Sequence, residues 1–362
     1  MKTALKIIIA VALVAALGTG IYAFAFIMSG IHYDVDTVEK VGTSVEIVSE
    51  DIDSVTIKKA DDSEFKIVMF SDTHINGKKD EDIMTVSYII ENVTREKPDF
   101  VIFGGDNVSS ALSYKRTTEF CELMDNLGVY WATSFGNHDG EGILKYSKKQ
   151  LAKLYSSYEY CLVKPGIEDI DGHGNYTVNI LNSDDSIKEV LFFMDSGEYA
   201  SDKEKAMYEV TGESSYDGVK ASQVQWYKDK HDALEAEFGE FKSVTVIHIP
   251  PYQTRELLDA ESEYIYGSRN EGICEAGYDS GLFDALKEKG SCQAVYFGHD
   301  HKNDFGAIYD GILLSYIQSS GYGSYNMGTS GYPESEWLQG CTILNIRDNG
   351  TYTAKAHLNH SN

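Results

Sequence analysis

Three short apolar runs constrain this chain most, because each breaks at a polar turn and the gaps between them carry helical patterns. Phe65 to Phe70 ends in Ser71-Asp72-Thr73-His74, and Asp99 to Asn107 reads Asp-Phe-Val-Ile-Phe-Gly-Gly-Asp-Asn. The third, Val129 to Ser134, runs into Phe135-Gly136-Asn137-His138-Asp139. Short runs of β-branched and aromatic residues bounded by proline or glycine predict buried strands. Between the first two, Ile83, Val86, Ile90 and Val93 share one face of a helix predicted over about Asp82 to Glu96. Between the second and third, Phe120, Leu123, Met124 and Leu127 do the same over about Thr117 to Leu127, closed by Gly128. Strand, helix, strand, helix, strand requires right-handed crossovers and a parallel core sheet, which gathers ligands at the carboxyl ends of its strands.

The remaining pattern extends this α/β reading. A helix is predicted near Lys145 to Tyr158, then a hairpin of Tyr176 to Leu181 with Glu189 to Met194 across Asn182-Ser183-Asp184-Asp185. A helix at about Ser222 to Glu237 leads to a strand, Val244 to Ile249, that carries His248 just before Pro250-Pro251. The last helix, Ser280 to Lys289, feeds the strand Gln293 to Phe297 and the turn Gly298-His299-Asp300-His301. Beyond it, short strands alternate with Gly- and Tyr-rich loops such as Gly321-Tyr322-Gly323-Ser324-Tyr325. Upstream, alternating residues such as Val45, Ile47, Val55 and Ile57 predict a hairpin-like extension over Asp34 to Ala60. No repeat or linker divides the body.

The first thirty residues obey a different solvent. Lys2 and Lys6 precede an uncharged run from Ile7 to Met28, long enough as a helix to cross a hydrocarbon core of ~30 Å. Basic residues on its leading side keep that end in the cytoplasm and send the rest out. The expectation is a single-pass anchor over residues 1–29 with the bulk of the chain extracytoplasmic. A cleaved signal peptide ending near Ala23-Phe24-Ala25 is the alternative, and it gives a secreted protein.

With 57 acidic against 31 basic residues the formal net charge is −26, which repels nucleic acid and anionic lipid surfaces. A small anionic substrate remains compatible where bound cations reverse the local field. The five cysteines, Cys121, Cys161, Cys274, Cys292 and Cys341, form no Cys-x-x-Cys pair. They read as buried thiols with at most one disulfide, not as a stapled scaffold or a thiolate zinc site.

Five strand ends then supply Asp72, His74, Asp106, Asn137, His138, Asp139, His248, His299 and His301. This mixture of imidazole and oxygen donors without sulfur suits Zn, Fe, Mn or Co. Asp72-x-His74 and His299-x-His301 bring alternate residues to one side if the chain stays extended there. In that order, Asp72-x-His74, Gly105-Asp106, Gly136-Asn137-His138-Asp139, His248 and Gly298-His299-x-His301 resemble the motifs of the calcineurin-like metallophosphoesterases, over about Phe65 to at least Phe305. The resemblance implies a four-layer sandwich of two mixed central β-sheets flanked by helices, preceded here by the membrane-spanning helix. It implies an extension over residues 30–62 and a catalytic domain over 63–362. It also implies two metal ions, with Asp72, His74, Asp106 and His301 on the first and Asp106, Asn137, His248 and His299 on the second.

Two cations sharing a carboxylate lower the pKa of a bridging water to give hydroxide at neutral pH, and they clamp phosphoryl oxygens for in-line attack. Neutral His and Asn ligands preserve the positive charge that stabilises the transition state. His138, spare in the ligand count, is assigned to binding phosphate and protonating the leaving oxygen, and Asp139 to fixing its tautomer. The expected activity is hydrolysis of a phosphomonoester or small phosphodiester; the alternative is a non-catalytic, metal-dependent cell-surface binding module. One departure separates the chain from the purple acid phosphatase branch. That branch places a tyrosine ligand three residues after the bridging aspartate, and here the position is Ser109.

Overall fold

The computed structural model describes residues 2–27, 30–109, 114–141, 146–208, 216–258, 264–323, 338–347 and 352–358. A helix, α1 (Lys2–Ile27), comes first, then a hairpin of β1 (Val45–Asp51) and β2 (Ser54–Lys59). The alternating core follows as β3 (Phe65–Phe70), α2 (Lys79–Glu96), β4 (Phe100–Phe103), α3 (Tyr114–Leu127) and β5 (Trp131–Thr133). After α4 (Lys148–Tyr155) come β6 (Tyr176–Leu181), β7 (Ile187–Phe193), α5 (Asp202–Met207), α6 (Ala221–Phe238), β8 (Ser243–Val246) and β9 (Tyr264–Tyr266). The remainder is α7 (Leu282–Lys289), β10 (Cys292–Phe297), β11 (Gly306–Tyr309), β12 (Ile312–Tyr316), β13 (Gly340–Ile346) and β14 (Tyr352–Leu358).

Two mixed sheets result. One has five strands in the order β14-β13-β3-β4-β5, with β3, β4 and β5 parallel and β13 antiparallel to both its neighbours. The other has nine, β1-β2-β6-β7-β8-β10-β12-β11-β9, in which β7, β8, β10 and β12 run parallel. Steps from β3 to β4 to β5 go in one direction, so right-handed crossovers put α2 and α3 on the same face of the smaller sheet. The larger sheet separates two apolar cores by strict period-two alternation. Leu191 and Phe193 of β7 join the core shared with β3, β4, α2 and α3, while Val190 and Phe192 face Trp226, Tyr227 and Leu286 of α6 and α7. Helices, sheet, sheet, helices is the expected α/β sandwich.

Some boundaries differ from the sequence reading for local reasons. Ser147 caps α4 by accepting from Gln150 N while Gln150 Oε1 accepts from Ser147 N, so the helix begins at Lys148 and ends at Tyr155. Lys145, the expected start, lies outside the described residues, as do Ser324 and Tyr325 of the Tyr-rich loop. β8 stops at Val246, leaving His248 two residues past the strand. The β1–β2 hairpin forms as expected and is no loose extension, because β2 pairs in parallel with β6 along Ser54–Lys58. All five cysteines are free thiols; Cys274 is exposed and the other four are buried, so there is no disulfide.

Among the described residues no helix is long and apolar enough to cross a membrane. Of the α1 side chains only those of residues 11–22 and 24 are described, and Val11, Leu13, Val14, Leu17 and Ile21 are each at least 62% exposed. The membrane-spanning helix expected over Ile7 to Met28 is therefore not established by the described part of the chain.

Candidate metal centre

The carboxyl ends of five strands meet at one edge of the sandwich. β3 delivers Asp72 and His74, β4 delivers Asp106, and β5 delivers Asn137 and His138; from the larger sheet come His248 after β8 and His299 and His301 after β10. Apart from His138, none of these is more than 7% exposed. The chain is not extended there as the two His-containing pairs suggested. Asp72, His74, Asp106 and His299 have φ of 51°, 42°, 53° and 77°, the left-handed region that side-chain-bearing residues avoid at a cost of about 1–3 kcal/mol each. Backbone bonds hold the coil: Asp72 N to Gly105 O, His74 N to Asp106 O (both 3.0 Å) and Ile75 N to Asn107 O (3.1 Å). Ligands therefore converge by curling inward past the strand ends.

The donor atoms crowd one buried volume. His74 Nε2 lies 3.1 Å from His301 Nε2, and His301 Nε2 lies 3.3 Å from Asp72 Oδ1. Asp106 Oδ2 stands 3.7 Å from His74 Nε2 and 3.2 Å from His248 Nε2, so it faces both groups of imidazoles. His248 Nε2 is also 3.1 Å from Asn137 Oδ1. Two ligands about 2.1 Å from a common ion are roughly 3.0–3.4 Å apart, so most of these spacings already match a shared cation. The second carboxylate oxygens are engaged elsewhere, Asp72 Oδ2 by Ser71 Oγ (2.6 Å) and His299 N (3.0 Å), and Asp106 Oδ1 by His138 N (2.7 Å). Left over are Asp72 Oδ1, Asp106 Oδ2 and His299 Nε2, buried with no hydrogen-bond partner. Buried polar atoms are rarely left so, and one donor atom each of Asp72, His74 and His301, and likewise of Asp72, Asp106 and His248, lie within 4.8 Å of one another, which fits a cation.

Electrostatics agree with that fit. Burial, reinforced by His301, pushes His74 down to about 4, and burial with His248 pushes His299 down to about 3, so both imidazoles are neutral and able to ligate. Burial acts to lower His248 as well, but Asp106 and Asp72 outweigh it and raise it to about 9. Its Nδ1–H donates to Gly104 O at 2.8 Å, which turns Nε2 toward the carboxylates. The field that draws a proton to His248 Nε2 is one that a metal ion would neutralise in its place. Gly105 makes the approach possible: with φ of 100°, its Cβ would stand 2.6 Å from Gly136 N and 2.7 Å from His248 Nδ1.

His138 sits at the rim, its ring 5.5 Å from that of His74. The expected role of Asp139 is corrected here. Asp139 accepts from the backbone N–H of Asp106 (2.9 Å), Asn107 (3.0 Å) and Gly136 (2.8 Å), which ties the β4 turn to the β5 turn. The group beside the His138 imidazole is Glu141, with Oε2 2.7 Å from Nδ1. Asp139-Gly140 are the central residues of a turn closed by Glu141 N donating to His138 O (3.1 Å), and such a turn brings its first and fourth residues together. That Asp-Gly pair was the available signal. Burial works to lower His138, but Asp106 and Glu141 raise it above its ordinary value, which suits an acid. Nearby, Ser196 Oγ accepts from His248 N (3.3 Å) and Ile249 N (2.9 Å). Arg255 lies over Tyr252 and near Glu275, and Tyr322 is buried. A pocket of about 180 Å³ opens over the centre, bounded by His74, His138, Tyr216 and Asp300.

A family model described as calcineurin-like phosphoesterase matches residues 65–303. A relative from Arabidopsis thaliana named probable inactive purple acid phosphatase 14 is 30% identical over 302 residues, covering 73% of this chain and 72% of its own. Phosphatase DCR2 of Saccharomyces cerevisiae is 29% identical over 279 residues, 69% of this chain and 46% of the yeast protein. A solved dimetal phosphatase from Danio rerio superposes with a TM-score of 0.48 at 14% identity, covering 81% of this chain and 99% of its own.

Proposed function

This chain belongs to the calcineurin-like phosphoesterase family, and on that premise we propose that it is a binuclear metal-dependent phosphoesterase acting on a phosphomonoester or small phosphodiester. The observation that carries the reading is the convergence of Asp72 with His74 and His301 and of Asp72 and Asp106 with His248, where Asp72 Oδ1 and Asp106 Oδ2 are buried without a hydrogen-bond partner. Asp72, His74, Asp106 and His301 would hold one ion and Asp106, Asn137, His248 and His299 the other, with Mn, Zn or Fe suited to such ligands. When bound, the pair would supply a water-derived nucleophile at neutral pH and a clamp on phosphoryl oxygens.

The chain's own groups do the rest. Asp106 holds the His138 backbone through Oδ1, and Asp139 fixes the two turns that carry Asp106 and Asn137. Glu141 orients the His138 ring and favours its protonated form, so that His138 can pass a proton to the leaving oxygen. The test is hydrolysis of a chromogenic phosphate ester by the purified chain with Mn, Zn or Fe supplied. Asp106→Asn and His138→Ala are each expected to lower kcat/KM by at least ~100-fold. Wild-type rates in both variants would end the assignment.

A second reading, a non-catalytic metal-dependent module at the cell surface, takes its support from the word inactive in the Arabidopsis relative's name. It expects bound metal without turnover, so metal content and the same assay separate the two. We propose further that residues 1–29 attach the chain to a membrane, residues 30–62 lead away from it, and residues 63–362 form an extracytoplasmic catalytic domain. The uncharged run Ile7 to Met28 behind Lys2 and Lys6 supports this placement. Full-length chain recovered with membranes and released only by detergent is the expected outcome; release by salt alone would reject it.

A further inference from the structure

Beside the metal centre lies a second, larger cavity of about 380 Å³ that the hydrolytic chemistry does not use. It begins at Gly140, two residues past the acid His138, and a pair of tyrosines stands between it and the centre. Tyr216 meets the His299 ring edge-on at 4.3 Å, and Tyr199 stacks on Tyr216 at 5.6 Å with the planes 25° apart. The Tyr199 phenol also interacts with the Asn137 side chain. A substrate whose phosphate sits over the metal ligands and whose leaving oxygen meets His138 therefore directs its alcohol portion past Tyr199 toward Gly140.

The charges lining this cavity are unequal. Its two lysines are already engaged: Lys148 Nζ, buried, donates to Asp195 Oδ1 (2.8 Å) and Gly197 O (2.9 Å), while Lys220 Nζ is held by Asp217 (2.8 Å) and Glu204. Asp217 is further engaged by the Tyr278 hydroxyl. Glu198 is the carboxylate left over. It is half-buried, its side chain has no hydrogen bond among the described residues, and its charge is felt by Lys148, whose ammonium is itself held by Asp195. It lies against Gly140, whose Cβ would stand 2.7 Å from Glu198 Oε1. Tyr199, 48% exposed, is the next residue and offers an aromatic face.

An unpaired carboxylate next to an exposed ring is the combination that recognises a cation, by ion pairing and by the ring quadrupole together. Among the described residues that line it, both lysines are spent on aspartates and a glutamate, and His173 is the one further basic side chain. We propose that this cavity is the leaving-group subsite and that the substrate is a small phosphate ester whose alcohol carries a positive charge, as an amino alcohol does. The proposal rests on the phosphoesterase reading above. Nothing in it alters the bond made or broken: the P–O bond to the alcohol is cleaved by water, and the alcohol leaves with its proton and its cationic group intact.

Three esters of like size test it: phosphoethanolamine, with an ammonium group; n-propyl phosphate, uncharged beyond its phosphate; and phosphoglycolate, with a carboxylate. The full chain, loaded with Mn, is expected to show kcat/KM for the first about ten-fold above the second, the scale of a partly buried ion pair with a cation–π contact. Phosphoglycolate should be the poorest. Glu198→Gln should bring the ratio of the first two toward one, and Glu198→Lys should favour phosphoglycolate over phosphoethanolamine. Equal rates on all three esters, or a preference that both variants keep, would overturn the subsite while leaving the phosphoesterase reading standing. Hydrolysis of none of them, or of any chromogenic ester, would overturn both.

Discussion

Glu189 shows what a single buried group can report. It lies on β7 opposite Ile180, fully buried, and neither carboxylate oxygen has a hydrogen-bond partner among the described residues. Burial pushes its pKa up to about 8, against a smaller opposing effect of Lys242. The folded chain therefore keeps this proton at neutral pH, while the unfolded chain releases it near the ordinary carboxylate value. Stability is then lost as pH rises from about 4.5 toward about 8, by an upper bound of about 5 kcal/mol. Glu189→Gln, neutral at every pH, removes that slope. Urea unfolding from pH 5 to 9 should show the variant falling behind or matching wild type at the acid end, gaining on it up to about pH 8 and levelling off beyond; parallel curves would reject the account. The metal-centre residues invite no such analysis, because their protons and a cation compete for the same atoms.

At the scale of elements, the turns matter more than the strands that carry them. The β4 turn places Asp106 between two sets of imidazoles only because Gly105 adopts a φ of 100° against Gly136 and His248. Gly105→Val is accordingly expected to lower metal content nearly as far as Asp106→Ala does, read by elemental analysis of the purified variants. Full metal loading in the valine variant would show that the turn yields. These turns also mark the boundary of what sequence can tell. Strands β3, β4 and β6 are legible because Phe65–Phe70, Phe100–Phe103 and Tyr176–Leu181 are dense apolar runs, and each ligand is legible because it follows such a run. The partner of His138 is not, because adjacency favours Asp139 whereas the choice is made by a turn that folds Glu141 back and sends Asp139 inward to three backbone N–H groups. Left-handed conformations at Asp72, His74, Asp106 and His299 are equally invisible, since Asp and His adopt them more often than other side chains do yet at few of their positions, and nothing in the sequence marks which. The cavity beside Glu198 is out of reach for another reason: its walls come from segments near residues 140, 148, 173, 197 and 220, which only tertiary packing assembles.

Over the whole molecule, the proposed metal ligands are shared between the two sheets at one edge. Asp72, His74, Asp106 and Asn137 follow strands of the smaller sheet, and His248, His299 and His301 follow strands of the larger. Occupation of both sites should therefore stabilise the packing of sheet on sheet. At a free metal concentration 100-fold above Kd the gain is about 2.7 kcal/mol per site, so treatment with a chelator should lower Tm by several degrees, and restoring metal should recover it. An unchanged Tm would place the ions outside the joint.

The distribution of those ligands along the chain, from Asp72 to His301, also bears on how the protein matures. Asp72, His74, Asp106 and Asn137 lie within residues 72–137, and His248, His299 and His301 lie well downstream, so the N-terminal part of an emerging chain carries only part of the proposed set. Only when β10, the last strand that leads into proposed ligands, has docked beside β8 is the set complete. On the proposed ligand set, full metal capture would follow folding instead of templating it, and a molecule carrying both ions would be one whose two sheets have already found each other.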